Sequence, residues 1–231
     1  VGESVEKPAL YYQNNVEGTL SLLRTMEKAG VYKLVFSSSA TVYGEPQLLP
    51  LTEASPVGGT TNPYGSSKYM VELILQDVAN SNEQWRFAIL RYFNIAGASS
   101  SNKIGEIDSS HGHLFKNIAI QSLKKKPVIN VYGDDYKTKD GTCVRDYMHV
   151  SDLSVAHVKA LEYLKEKSKS VILNCGYGKG YSVLEILRIF KKIKKNLKIN
   201  FVQRRKGDVA AVYSDTKKFK KTIKMKIKNN S

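Results

Sequence analysis

Two short apolar runs, Leu34-Val35-Phe36 and Phe87-Ala88-Ile89-Leu90, constrain the fold of this chain more than any other feature. Both are too short for a helix, and they carry the branched and aromatic side chains that suit strands buried on both faces. Between them lies a loop over 44–62, broken by Pro46, Pro50, Pro56, Gly58 and Gly59, and then a helical stretch from about Tyr64 to Val78. Strand, helix and strand in that order predict parallel pairing with helices on both faces of the sheet. Upstream, Pro8 opens a helical stretch with Val16, Leu20 and Leu23 on one face, ending near Gly30. The expected fold class is therefore α/β, built on a doubly wound parallel sheet.

The second half is less regular. Gly97 to Gly112 reads as a polar loop, Leu114–Leu123 as a helix, Val128–Tyr132 as a strand and Asp134–Gly141 as a turn. Asp152 is the expected cap of a helix running to about Lys165. Val171-Ile172-Leu173 reads as a strand, and Ser182 with Glu185 forms a capping box for a helix to Ile193. Beyond Asp215, Lys alternates with scattered apolar residues, the pattern of a poorly ordered end.

Charge excludes less than it suggests. The net +15 invites a nucleic-acid partner, but residues 1–115 carry 8 basic and 11 acidic side chains, and residues 188–231 carry 16 basic and 2 acidic. The excess is a lysine bias near one end, with no interleaved aromatic residues to stack on bases. No apolar run is long enough to span a membrane. Neither nucleic acid nor membrane is an expected partner. Cys143 and Cys175 form no CxxC pair, which suits a reducing, cytoplasmic setting.

The chemistry-bearing residues cluster where the first strand ends. Ser37 and Ser39 follow Phe36, and ligands of open parallel sheets sit beyond the carboxyl ends of strands. Tyr64 and Lys68 lie one helical turn apart and face the same way. A neighbouring ammonium and a cationic nicotinamide favour the phenolate, so such a tyrosine can take a proton from a sugar hydroxyl. The spacing alone is weak, since it recurs at Tyr163/Lys167 and Tyr213/Lys217. What distinguishes Tyr64 is the serine-ended strand and the Pro/Gly-rich loop before it. Gly176-Tyr177-Gly178-Lys179-Gly180 imitates a dinucleotide fingerprint, but its third glycine comes one residue early and no acidic partner follows, so it reads as a turn. His111-Gly112-His113 lacks further ligands at metal spacing, and no metal is expected.

In order and spacing, Val1–Val5, Tyr11–Val16, Phe36–Gly44, Asn62–Lys68, Leu90–Gly97, Tyr132–Tyr136, Asp140–Val150 and Arg204–Asp208 resemble the UDP-glucose 4-epimerases, within the extended short-chain dehydrogenase/reductase group. The resemblance covers residues 1 to about 215. It implies a Rossmann-type sheet over 1–95, the C-terminal part of an NAD-binding domain. Residues 96–231 would mainly form a smaller α/β lobe for the UDP-sugar, with segments returning to the main sheet. It implies Tyr64 as catalytic acid and base, Lys68 as its partner and ribose anchor, and Ser39 as the hydroxyl that holds the sugar. Asn14, Ser37, Ser39, Tyr64, Lys68 and Phe93 match positions beside NAD. Asn94, His113, Leu114, Asn130, Val131, Tyr132, Arg145, Arg205, Asp208 and Val212, with Ser39 and Tyr64, match the surroundings of a UDP-hexose.

The implied activity is redox isomerisation at C4 of a hexose through a 4-keto sugar, with NAD as a cofactor regenerated in every cycle. A homodimer is the family expectation. His113 stands where many relatives have Asn, and is expected as a polar pocket wall. Val212 falls where some relatives have Tyr, which would leave room for N-acetylated hexoses. No glycine-rich nucleotide fingerprint precedes Val1, so an incomplete sheet is expected. The alternatives are a catalytically inactive relative, another NAD-dependent nucleotide-sugar epimerase or dehydratase, and, remotely, a Lys-rich anion-binding module.

Overall fold

A computed structural model describes residues 2–101, 103–107 and 113–225. The predicted strands form the centre of a parallel three-stranded sheet in the order β1–β2–β6, from Lys33–Ser39, Arg86–Tyr92 and Val171–Cys175. The first strand is longer than its apolar run, because Ser37, Ser38 and Ser39 pair in register with Leu90, Arg91 and Tyr92. All three strands point the same way, so their carboxyl ends share one edge.

Alternation along β2 decides the two cores. Phe87 and Ile89 face α3 (Gly18–Lys28) and α4 (Pro63–Ser81), packing with Leu23, Val71, Leu75 and Trp85. Ala88 and Leu90 face the other way, onto Leu153, Ala156, Ala160 and Leu164 of α6 (Val150–Lys167). Each large apolar side chain buried this way contributes about 1.5–3 kcal/mol. Helices on both faces make the sheet doubly wound, as the alternation predicted.

Three local expectations are corrected. A short α1 (Gly2–Glu6), not expected, precedes the helical stretch opened by Pro8, and that stretch is split, with α2 (Pro8–Tyr12) leading into a π-helical turn at Gln13–Glu17 before α3. There Asn15 Nδ2 donates to Ser67 Oγ on α4 at 2.8 Å. His149, not Asp152, caps α6, with its Nδ1 accepting from the Ser151 N–H at 3.1 Å. Asp152 is drawn inward instead, accepting from the Tyr177 hydroxyl at 2.6 Å. The lysine-rich end also folds through residue 223. Helix α8 (Lys217–Ile223) buries Phe219 and Ile223 against α6 and β6. Residues 226–231 lie outside the described residues.

The second lobe pairs β4 (Val128–Tyr132) with β8 (Lys198–Val202) in parallel. Helices α5 (Leu114–Ser122) and α7 (Val183–Ile193) cover it through Ile118, Ile186 and Leu187. The predicted capping box at Ser182 and Glu185 is present. A third sheet links the lobes: β3 (Asn94–Ala96) pairs with β5 (Val144–His149), which also pairs with β7 (Gly180–Ser182) and β9 (Ala211–Val212). No helix among the described residues is long and apolar enough to cross a membrane.

Asp146, on β5 and fully buried, ties this junction together. Its carboxylate accepts from the Tyr177 N–H at 2.9 Å, the Gly178 N–H at 3.0 Å and the Ser214 hydroxyl at 2.6 Å. The Gly176–Gly180 segment is thus a turn folded around a carboxylate. A Cβ on Gly176 would collide with the Asp146 and Ser214 side chains, which their hydrogen bonds hold in place. Gly176→Ala is expected to lower the unfolding free energy in urea by about 2–3 kcal/mol. Gly59→Ala, which enters open space, should change it by less than about 1 kcal/mol. Equal losses would remove Asp146 as the clamp.

Candidate active site

Asn62 starts α4, its Oδ1 accepting from the Gly65 N–H at 2.9 Å, and Pro63 takes the first helical position. Gly65 is required by close packing, since a Cβ would stand 2.9 Å from the Thr41 carbonyl oxygen. These two constraints bring the start of α4 over the end of β1. Tyr64 and Ser39 then face one cavity of about 570 Å³, which also takes in Tyr11, Phe93 and Val212. A second cavity, of about 360 Å³, is lined by Leu114, Asn130, Val131, Tyr132 and Arg205. Asn94, His113, Arg145 and Asp208 border both, so the two are halves of one cleft. Both volumes are of the size that holds small ligands.

The cleft is chemically divided. Around the second half, the Arg205 guanidinium stacks 3.8 Å from the Tyr132 ring centroid, and Arg145 lies 3.9 Å from Asp208. Two guanidinium groups at a cleft suit a diphosphate, whose oxygens accept paired N–H donors. His113 stands at the joint, its Nδ1 2.7 Å from Glu106 Oε1. The first half is mostly hydroxyls and aromatic rings, with Tyr11 edge-on to Tyr64 at 6.1 Å.

Three of the predicted residues lie outside this lining. Asn14 is exposed on the π-helical turn. Lys68 sits behind Tyr64 and donates from Nζ to the Ser37 carbonyl at 3.0 Å, with the Tyr64 ring centroid 5.8 Å away. The Ser37 hydroxyl lies 2.9 Å from Nε2 of His157. Nδ1 of that ring faces the Leu153 carbonyl, which can only accept, so in the neutral tautomer Nε2 accepts from Ser37. His157 and Tyr11 had no distinguishing spacing in the sequence; the fold alone brings them here. His111 lies outside the described residues, and among the described residues no three His, Cys, Asp or Glu side chains gather as metal ligands.

Burial governs the titration of the pair. It pushes the Tyr64 phenol up to about 12, Tyr92 and Tyr11 add to this, and a hydrogen bond with Ser39 opposes it. Burial also lowers the Lys68 ammonium below its ordinary value. The ammonium was expected to bring the phenol down. Anchored on the Ser37 carbonyl, it does not offset burial, and the phenol stays above its ordinary value. Lys68 spends one donor on Ser37 and, as an ammonium, has others for ribose hydroxyls. That arrangement fits the nicotinamide-ribose end of NAD.

A sequence profile of the NAD dependent epimerase/dehydratase family matches residues 1–176. The chain belongs to that family. The UDP-glucose 4-epimerase of Pasteurella multocida (strain Pm70) is 51% identical over 218 residues, 93% of this chain and 64% of that protein. The chain thus spans just under two thirds of the length of the curated relatives it matches. Among solved structures, UDP-glucose 4-epimerase from Bifidobacterium longum in complex with NAD+ and UDP superimposes with a TM-score of 0.93 at 45% identity, covering 99% of this chain and 68% of that one. The UDP-Glc/GlcNAc 4-epimerase from Campylobacter jejuni gives 0.80 at 41% identity, covering 99% and 69%. The Rossmann-like sheet of this epimerase/dehydratase chain is the fold of those neighbours.

In protein without cofactor, the difference between wild type and Tyr64→Phe in an ultraviolet pH titration should isolate one phenol ionising near 12. A midpoint below the ordinary tyrosine value of about 10 would overturn the dominance of burial.

Proposed function

We propose that this chain carries the sugar-oxidising and nucleotide-binding machinery of a UDP-glucose 4-epimerase, interconverting UDP-glucose and UDP-galactose. The observation that supports it best is the continuous cleft, with Tyr64 and Ser39 in one half and Arg145 and Arg205 in and beside the other. In this proposal residues 1–95 serve the cofactor and 96–231 mainly hold the UDP-sugar. NAD, when bound, supplies the electron acceptor beside C4 and a positive charge near Tyr64.

Lys68, Ser37, Ser39, Tyr64, Phe93 and Asn14 would hold the cofactor. Tyr64 takes the O4 proton as C4 is oxidised, and returns it when the 4-keto sugar is reduced on its opposite face. Ser39 donates or accepts at that same oxygen, so the proton moves along a short hydrogen-bonded path. Arg145 and Arg205 grip the diphosphate while the hexose turns over. Asn94, His113, Leu114, Asn130, Val131, Tyr132 and Asp208 shape the remaining wall. A homodimer is proposed, supported by the exposed apolar side chains of Leu10 on α2 and Met70 and Leu73 on α4, two helices that pack together. A reducing cytoplasm is the proposed location, in keeping with two buried free thiols.

Tyr64→Phe should lower turnover of UDP-galactose by roughly a thousandfold while leaving the Kd for UDP unchanged in calorimetry. Retained turnover would remove Tyr64 as the base. Arg205→Ala should weaken UDP about tenfold. Titration of wild type that finds UDP binding without NAD binding or turnover would replace the epimerase by a non-catalytic nucleotide-sugar binder.

Substrate breadth depends on Val212, which lines the sugar half beside Phe93 and Asn94. Its small side chain supports a wider range that includes N-acetylated UDP-hexoses. Val212→Tyr should cut the turnover of UDP-N-acetylglucosamine by about tenfold or more while sparing UDP-glucose. Absence of N-acetylhexose turnover in the wild type would end that part of the proposal.

A further inference from the structure

Helix α4 meets the three consecutive serines of β1 at three successive turns. Tyr64 shares its cavity with Ser39, Lys68 reaches the Ser37 carbonyl, and Glu72, one turn further, accepts from the Ser38 hydroxyl at 2.5 Å. Glu72 and Ser38 are both fully buried. The same carboxylate receives Arg91 of β2, with Nε at 3.0 Å and Nη2 at 2.5 Å. Arg91 Nη1 donates to the Tyr43 hydroxyl at 2.9 Å, and that hydroxyl donates to Asn174 Oδ1 on β6 at 2.7 Å. Asn174 Nδ2 then donates to the Leu51 carbonyl at 2.9 Å, and Leu51 bridges to Ser214, two residues past Val212.

We infer that Glu72, with Arg91, is a positioning residue of this active site: it sets the register of α4 on β1 and so holds Tyr64 against Ser39. The inference rests on the proposed epimerase chemistry. Glu72 touches neither cavity. It acts through Ser38, whose two chain neighbours are the serines that Tyr64 and Lys68 use. An apolar residue would fill the same interior at no desolvation cost. A carboxylate there is directional, because only one sliding position of the helix satisfies Ser38 and the Arg91 fork together.

The test compares wild type with Glu72→Gln and with the doubly neutral Glu72→Leu/Arg91→Met, which removes the pair without leaving a buried charge. Two readouts are taken: the kinetics of UDP-galactose turnover, and the pH titration of 3-fluorotyrosine at position 64 by fluorine NMR without cofactor or substrate. In both variants kcat should fall by about thirtyfold or more, with KM and the Kd for UDP within about threefold. The phenol should become a weaker acid by about threefold or more, because a displaced Tyr64 moves away from the Ser39 hydroxyl in the shared cavity, the donor nearest to hand for its phenolate. A purely electrostatic role gives the opposite sign in Glu72→Gln, since removing a negative charge makes the phenolate easier to form. An unchanged or lowered fluorotyrosine midpoint in the folded double variant would overturn the inference, as would a kcat loss matched by KM and UDP affinity. If wild type turns over no UDP-hexose, the proposed function fails, while the fluorine titration still decides whether Glu72 positions Tyr64.

Discussion

The site depends on α4 lying along β1 in a single register. Parallel pairing of β1 with β2 aligns the carboxyl ends of the strands, and α4 then crosses that edge with its first turn packed on Thr41 and sharing a cavity with Ser39. Packing of Val71 and Leu75 onto Phe87 and Ile89 supplies most of the adhesion, but apolar contacts tolerate sliding. The buried Glu72–Arg91 pair does not. Burial works against the Arg91 charge, yet the hydrogen bonds to Glu72 and Tyr43 and the charge of Glu72 overcome it and leave its pKa above the ordinary guanidinium value. Removing one partner of such a pair typically costs about 3–5 kcal/mol, because the other charge is stranded.

A second buried carboxylate performs the matching task for the other wall of the cleft. Asp146 gathers backbone N–H groups from a turn about thirty residues away and from the segment after β9. Arg145 and Tyr147, its neighbours on β5, point to the opposite face and line the second cavity. The two carboxylates thus fix the two halves of the cleft relative to the strands that carry them. Neither lies in the cleft, where a side chain must keep free valences for a ligand.

Tyr64 illustrates how position and chemistry trade against each other. The burial that orients the phenol also raises it to about 12, and Lys68 is occupied by the Ser37 carbonyl. In the proposed reaction, positive charge arriving beside such a group would favour its phenolate. That coupling suits chemistry in which the proton should leave only when an electron acceptor is in place.

Much of this was legible in the residues. The apolar runs at Leu34–Phe36 and Phe87–Leu90 determined a parallel sheet, because strands buried on both faces need continuous apolar side chains. Ser182 and Glu185 announced α7, since a capping box is a local hydrogen-bond pair. The order of the quoted stretches determined the family. Other features were decided only by tertiary structure. Spacing could not separate Tyr64/Lys68 from Tyr163/Lys167, because nothing local reports which pair lands over a strand end. Asp152 reads as a cap by sequence but accepts from Tyr177 in the fold, and the lysine-rich end reads as loose but packs Phe219 into the core beside α6. The hold of Glu72 on Ser38 and Arg91 joins residues far apart in the chain, and a contact of that kind exists only after the sheet has brought its strands together.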